Sequence, residues 1–170
     1  MSTTTQSTDT NQPFAGRQLQ LVTFDVAGEE FAVDILAVQE INRMMELTRV
    51  PQSPPEVEGV INLRGKIIPV LDLRKKFNLP AAEKTETSRI VVIEVHKRVL
   101  GFIVDRVHEV LRISGDIVEQ APPMACSIDA EFIAGVGKLP DRLLILLDID
   151  KLFSAEAAHA AANASKSRAA

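Results

Sequence analysis

The side chains of this 170-residue chain from which chemistry could be assembled are three histidines, one cysteine, a recurring aspartate and a short glycine-lysine run. A metal or general-base site needs His, Cys or carboxylate groups at ligand spacing, and His96, His108 and His159 have no such companions. Glu109 follows His108 directly, which on a strand turns the two side chains to opposite faces. Gly135-Val136-Gly137-Lys138 resembles half of a phosphate-binding loop. The other half is missing, and the run lies between strand-like segments instead of before a helix, so it reads as a bulge or barrel bend. Asp72 and Asp148 each stand before a short helix-like run and read as N-caps, not as an acid-base pair. Cys126 has no recognisable catalytic context. The chain is expected to be no enzyme and to need no cofactor or metal, which leaves recognition as its chemistry.

The elements that would position recognition groups are mostly strands. Val22, Phe24 and Val26 alternate with Thr23 and Asp25, and a turn at Ala27-Gly28 leads into Phe31 and Val33, a hairpin pattern. Residues 34–38 suit one helical turn before a strand carrying Gln39 to Arg43. Val50-Pro51, with Pro54 and Pro55 behind it, marks an irregular loop. Residues 57–63 and 66–71 read as strands joined at Arg64-Gly65; Pro69 lacks an N–H and belongs at an edge or bulge. Asp72 caps a short helix to Phe77, and a charged connection follows over 80–87. Residues 90–95, 99–104, 107–113, 132–139 and 143–149 are further β-branched or apolar strand candidates. Residues 1–16, rich in Ser, Thr and Gln, are expected to form a disordered tail, and the Ala-rich residues 155–170 a helix that frays into one.

The sequence repeats itself. Residues 59–77 align without a gap on 135–153, with seven of 19 positions identical, among them Gly59/Gly135, Asp72/Asp148 and Phe77/Phe153. Residues 21–43 align likewise on 90–112, where Val38/Val107, Glu40/Glu109 and Arg43/Arg112 are identical. Two copies of one unit, each the size of a small barrel, are implied. The expected fold is all-β with short helices: two five-stranded β-barrels related by internal duplication, lobes 17–82 and 83–154, with exchange of strands at the boundary allowed. The apolar runs 90–93 and 143–147 have no polar face, so they are candidates for the contact between lobes.

Phe31-AVDILAVQEI-41, Gly59-VINLRGKIIPVLDLRKKF-77, Val99-LGFIVDRVHEVL-111 and the run 135–153 together resemble the chemotaxis coupling protein family, CheW, over residues 18–154. The resemblance implies SH3-like barrels and an adaptor that couples chemoreceptors (methyl-accepting chemotaxis proteins) to the histidine kinase CheA. The cytoplasmic receptor tip would enter a groove between the barrels, and the barrels would contact the SH3-like regulatory domain of the kinase. Carried onto this chain, the interaction residues are Val38, Glu40, Ile41, Asn62, Arg64 and Gly65. Val38 and Ile41 supply apolar area, with core packing the ordinary role of an isoleucine such as Ile41. Arg64 offers five fixed donors, and its counterpart in the second copy is Pro140, so the first copy alone carries this charge. Glu40, which recurs as Glu109, is expected to lie within reach of Arg64.

Composition narrows the alternatives. A net charge of −4, with only Arg74, Lys75 and Lys76 as a basic cluster, argues against a nucleic-acid-binding barrel, which would also want exposed aromatics; Trp and Tyr are absent. A hydrolase would need a site made from residues that read as structural. The N-terminus lacks the pattern of a signal peptide, apolar runs are too short to insert in a membrane, and the lone cysteine suits a reducing compartment. The expectation is a cytoplasmic protein recruited to membrane-associated receptor arrays, for motility or for a chemotaxis-like pathway with a non-flagellar output.

Overall fold

The computed structural model describes residues 13–80, 82–120 and 130–153. Cys126, His159, most of the 121–130 stretch and the segment 155–170 lie outside them, as does most of the segment 1–16. Among the described residues, eleven strands form two sheets. The first contains β1 (Gln18–Val26), β2 (Glu29–Asp34), β8 (Arg106–Ser114), β9 (Val118–Glu119), β10 (Ile133–Lys138) and β11 (Leu143–Leu147), in the order β8-β1-β2-β11-β10-β9. The second contains β3 (Val38–Arg43), β4 (Val57–Leu63), β5 (Lys66–Asp72), β6 (Arg89–Val95) and β7 (Arg98–Val104), in the order β3-β6-β7-β5-β4.

Both sheets curl into barrels. In the second, the chain beyond β3 comes round to β4, where Thr48 and Val60 exchange backbone hydrogen bonds of 2.9 and 2.8 Å. In the first, β8 runs through a single 3-10 turn, Gly115–Ile117, into β9 at the other edge. Closure at these points shortens the unpaired edges that an open sheet would present, though β3 and β8 remain ends of their sheet orders.

The duplication is visible in the pairing register. Ile41 sits opposite Val91 just as Val110, its repeat mate, sits opposite Val22, and both ladders carry a bulge at the same place, between Val38 and Glu40 and between Val22 and Phe24. The parallel pairs Val70–Gly101 and Leu146–Ala32 match as well. The sheets do not follow the contiguous division 17–82 and 83–154, however. Each takes one hairpin from one copy and its remaining strands from the other, so that β1-β2 is completed by β8, β9, β10 and β11 while β6-β7 is completed by β3, β4 and β5.

Three apolar clusters result. Leu19, Leu21, Ala32, Ile113, Leu144 and Leu146 fill the first barrel, and Ile61, Ile68, Val70, Ile90, Val92 and Ile103 the second. The largest lies between them and holds five buried phenylalanines. Within it Phe24 meets Phe31 and Phe102 at ring-centroid distances of 6.1 and 5.4 Å, and Phe102 stacks on Phe153 at 5.5 Å. Strand alternation explains why β6 has no polar face: Ile90 and Val92 point into their barrel, Val91 and Ile93 into the central cluster. β11 does the same from Leu144 onwards.

Local readings mostly hold, with corrections. Asp72 Oδ1 accepts the Arg74 N–H at 3.0 Å and caps α1 (Leu73–Lys76); Asp148 Oδ1 accepts the Lys151 N–H at 3.2 Å at the start of the helical turn over 149–153. Gly135 follows a bulge in β10. Pro69 is not on an edge strand, because β5 lies between β7 and β4; its ladder to β7 begins at Val70, so the missing N–H falls just outside it. Residues 13–16 are no free tail: Phe14 packs on the first barrel's core, and the Gly16 N–H donates to Asp116 Oδ1 at 2.8 Å. The basic run on α1 is not simply solvated, since Arg74 donates to Asp105 at 2.6 Å and Lys75 pairs with Glu58.

Candidate functional site

Arg64 and Gly65 form the two-residue connection between β4 and β5, with φ of +54° and +84°. Positive φ at both central positions marks the tight turn whose twist matches that of the flanking strands. Gly65 adopts this without cost, whereas Arg64 occupies a region that side chains disfavour. Asn62 secures the turn, its Oδ1 accepting the Gly65 N–H at 3.0 Å. In the second copy the pyrrolidine of Pro140 excludes positive φ. There a Pro140-Asp141 connection spans the same pair, closed by the Leu139 N–H donating to the Arg142 carbonyl at 2.9 Å.

The turn projects Arg64 across the seam of the barrel. β3 and β4 are the two ends of the sheet order, yet Arg64 Nη1 stands 2.7 Å from Glu40 Oε2 on β3. The arginine is 78% exposed and the glutamate 19%. Glu40 also accepts from Asn42 Nδ2 at 2.6 Å. Asn42's hydrogen bond, opposed by partial desolvation and joined by Arg64, holds the Glu40 carboxyl below the ordinary glutamate range. The carboxylate thus fixes a guanidinium that is largely exposed, an arrangement that can grip a partner's carboxylate or carbonyl.

Val38 and Ile41 belong to the other face of β3. The bulge at Gln39 sets Glu40 and Asn42 on the side of Val92 and Ile90, and Val38 and Ile41 on the side of Ile93 and Val91, which turns toward the other lobe. Val38 is half-buried against the central cluster. Ile41 does not take the core role that its type favours: it is 40% exposed, because β3 has no neighbour beyond it at this position. The structure therefore brings Glu40, Asn62, Arg64 and Gly65 together and sets Val38 and Ile41 apart from them.

Two neighbours escaped the sequence reading. Asn42 could have been found from alternation, two residues along the strand from Glu40. Ile67, opposite Asn62 and 65% exposed, sits within an apolar strand that gives no hint which of its residues points outward. Across the pseudo-dyad, Glu109 lies 3.6 Å from Arg142, which is the repeat mate of Lys66. Burial works against the Arg142 charge, but Glu30 and Asp141 outweigh it and raise its pKa. A glutamate-arginine pair thus recurs in the first barrel with the arginine moved two positions along.

The CheW-like domain family model matches residues 20–157. The chain belongs to the CheW family. Among curated CheW proteins, the chemotaxis protein CheW of Klebsiella aerogenes is 38% identical over 148 residues, 87% of this chain and 89% of that protein. CheW of Treponema pallidum is 37% identical, over 86% and 88%. The crystal structure of the scaffolding protein TtCheW from Thermoanaerobacter tengcongensis superposes with a TM-score of 0.75 at 39% identity, covering 81% of this chain and 88% of that one. CheW-family membership makes this chain a chemotaxis scaffold and bears out the expected all-β architecture. No helix among the described residues is long and apolar enough to cross a membrane.

Proposed function

We propose that this protein couples chemoreceptors to the histidine kinase CheA, holding both in one geometry so that receptor conformational change biases kinase activity through differential contacts. It would meet the receptor's cytoplasmic tip and the kinase's SH3-like regulatory domain, and be drawn to membrane-associated arrays through them, with no bond chemistry of its own. The observation that carries the reading is the Arg64 turn: an exposed guanidinium held by Glu40 at 2.7 Å, on a hairpin fixed by Asn62 and flanked by exposed Ile67. Val38 and Ile41, facing the other lobe, supply a separate apolar contact. Each such interface is modest, and repetition in an array supplies avidity.

The test is Arg64→Asp. Aspartate tolerates the left-handed turn conformation, so the turn survives while the charge reverses beside Glu40. We expect a thermal midpoint within a few degrees of the parent, as for most exposed substitutions. In a reconstituted mixture of receptor, CheA and this protein, co-sedimentation or receptor-dependent kinase activity should fall at least fivefold. Full coupling by the variant would overturn the assignment of Arg64.

A further inference from the structure

Within the described residues the chain passes between the barrels at two points, through residues 35–37 from β2 to β3 and through Asp105 from β7 to β8. The two crossings are repeat mates, Leu36 corresponding to Asp105. Asp105 is tied to both barrels at once. Its N–H donates to the Asp25 carbonyl of the first barrel at 2.9 Å, and its own carbonyl accepts from Thr87 Oγ1, just before β6 of the second, at 2.9 Å. Its side chain bridges the barrels again. Oδ2 accepts the Ala27 N–H of the β1-β2 turn at 2.9 Å, while Arg74 on α1 donates through Nε to Oδ1 at 3.2 Å and through Nη2 to Oδ2 at 2.6 Å. Arg74 is itself braced, its Nη1 donating to the Pro80 carbonyl at 3.1 Å.

The other crossing keeps the backbone and lacks the bond. Ala27 and its mate His96 have nearly the same positive φ, +53° and +50°. Leu36, however, is 91% exposed, and its N–H donates to its own cap, Asp34 Oδ1, at 2.9 Å. Arg74 is replaced by Asp150, which stands 4.0 Å from His96 with both side chains well exposed. An apolar residue in the place of Asp105 leaves no carboxylate for a fork. We propose that Arg74 and Asp105 form a latch that sets the angle between the barrels, with the Leu36 crossing as the side that gives when the latch opens. The central phenylalanine cluster holds the barrels together, but apolar burial is non-directional, whereas a two-point fork fixes an angle. Arg64 rides on the second barrel and the Glu109-Arg142 pair on the first, so the latch sets their spacing for any partner that spans both.

The experiment measures amide residual dipolar couplings of the weakly aligned, isotope-labelled full chain, which report the orientation of each barrel separately. In the parent, one alignment tensor should fit the strands of both barrels. Arg74→Gln and Asp105→Asn remove opposite ends of the same bond while nearly keeping shape. In each variant the couplings should still fit within either barrel, but the shared tensor should be lost, the two barrels giving tensors that differ in magnitude or direction as hinged motion averages one against the other. Leu36→Ser, at the crossing without a latch, should leave the shared tensor in place. A shared tensor at the parent's orientation in either latch variant would overturn the proposal. So would couplings that no longer fit within a barrel, since Arg74 and Asp105 would then hold a barrel's own fold, and so would loss of the shared tensor in Leu36→Ser. None of these outcomes depends on which partners the barrels meet.

Discussion

Glu40 shows how much a single carboxylate can set. Its charge is shared between Asn42 on its own strand and Arg64 across the barrel seam, and both favour the ionised form. A carboxyl whose folded pKa lies below its unfolded one adds stability that is present above the unfolded value and lost as pH falls through the folded one. The orientation of Arg64 is therefore secure at neutral pH and released in acid, below the ordinary glutamate range. Because Arg64 is well exposed, the effect on global stability is small and screened by salt. The local effect is measurable. Asn42→Ala removes the largest of the charge-favouring contacts, and the Glu40 carboxyl carbon should then titrate at higher pH by NMR; a midpoint equal to that of the parent would show that Asn42 contributes nothing to it.

At the scale of elements, two glycines separate conformational need from spatial need. Gly65 has positive φ but open space around it, so Gly65→Ala pays only the left-handed backbone penalty of about 1 kcal/mol. Gly59 meets the Thr48 backbone: an added Cβ would stand 2.6 Å from the Thr48 carbonyl oxygen, at the hydrogen bonds that close the second barrel. Gly59→Ala should be the more destabilising of the two in chemical denaturation, and the amides of Thr48 and Val60 should lose exchange protection selectively. Equal costs, or protection lost evenly, would mean that the seam does not depend on this contact. The hairpins were legible in the sequence because turn chemistry is local: Asn62, Arg64 and Gly65 announce their connection within four residues. Ile41 was not. Its exposure depends on β3 lying at the end of a sheet order and on a bulge at Gln39, both consequences of distant pairing.

At the scale of the whole molecule, the duplication was legible and the exchange of strands was not, for a definite reason. Matched copies carry matched registers, so β3 could pair with β1 of its own copy or with β6 of the other through the same pattern of side chains; the sequence match is blind to the choice. The chain makes the second choice throughout, so each barrel needs strands from both sides of residue 82. The central cluster adds to the interdependence, because Phe24 of the first barrel touches Phe102 of the second. Neither barrel can then be removed without exposing the other's apolar face, and unfolding should be a single transition. A chain of residues 1–82 retains β1-β2 without β8 and β11, and β3, β4 and β5 without β6 and β7. It is expected to give the circular dichroism of an unfolded chain, and to regain strand signal when residues 83–170 are added in equal amount. A 1–82 fragment that folded cooperatively by itself would show that each copy can close its own barrel, and that the exchange is a preference of the linked chain instead of a requirement of its strands.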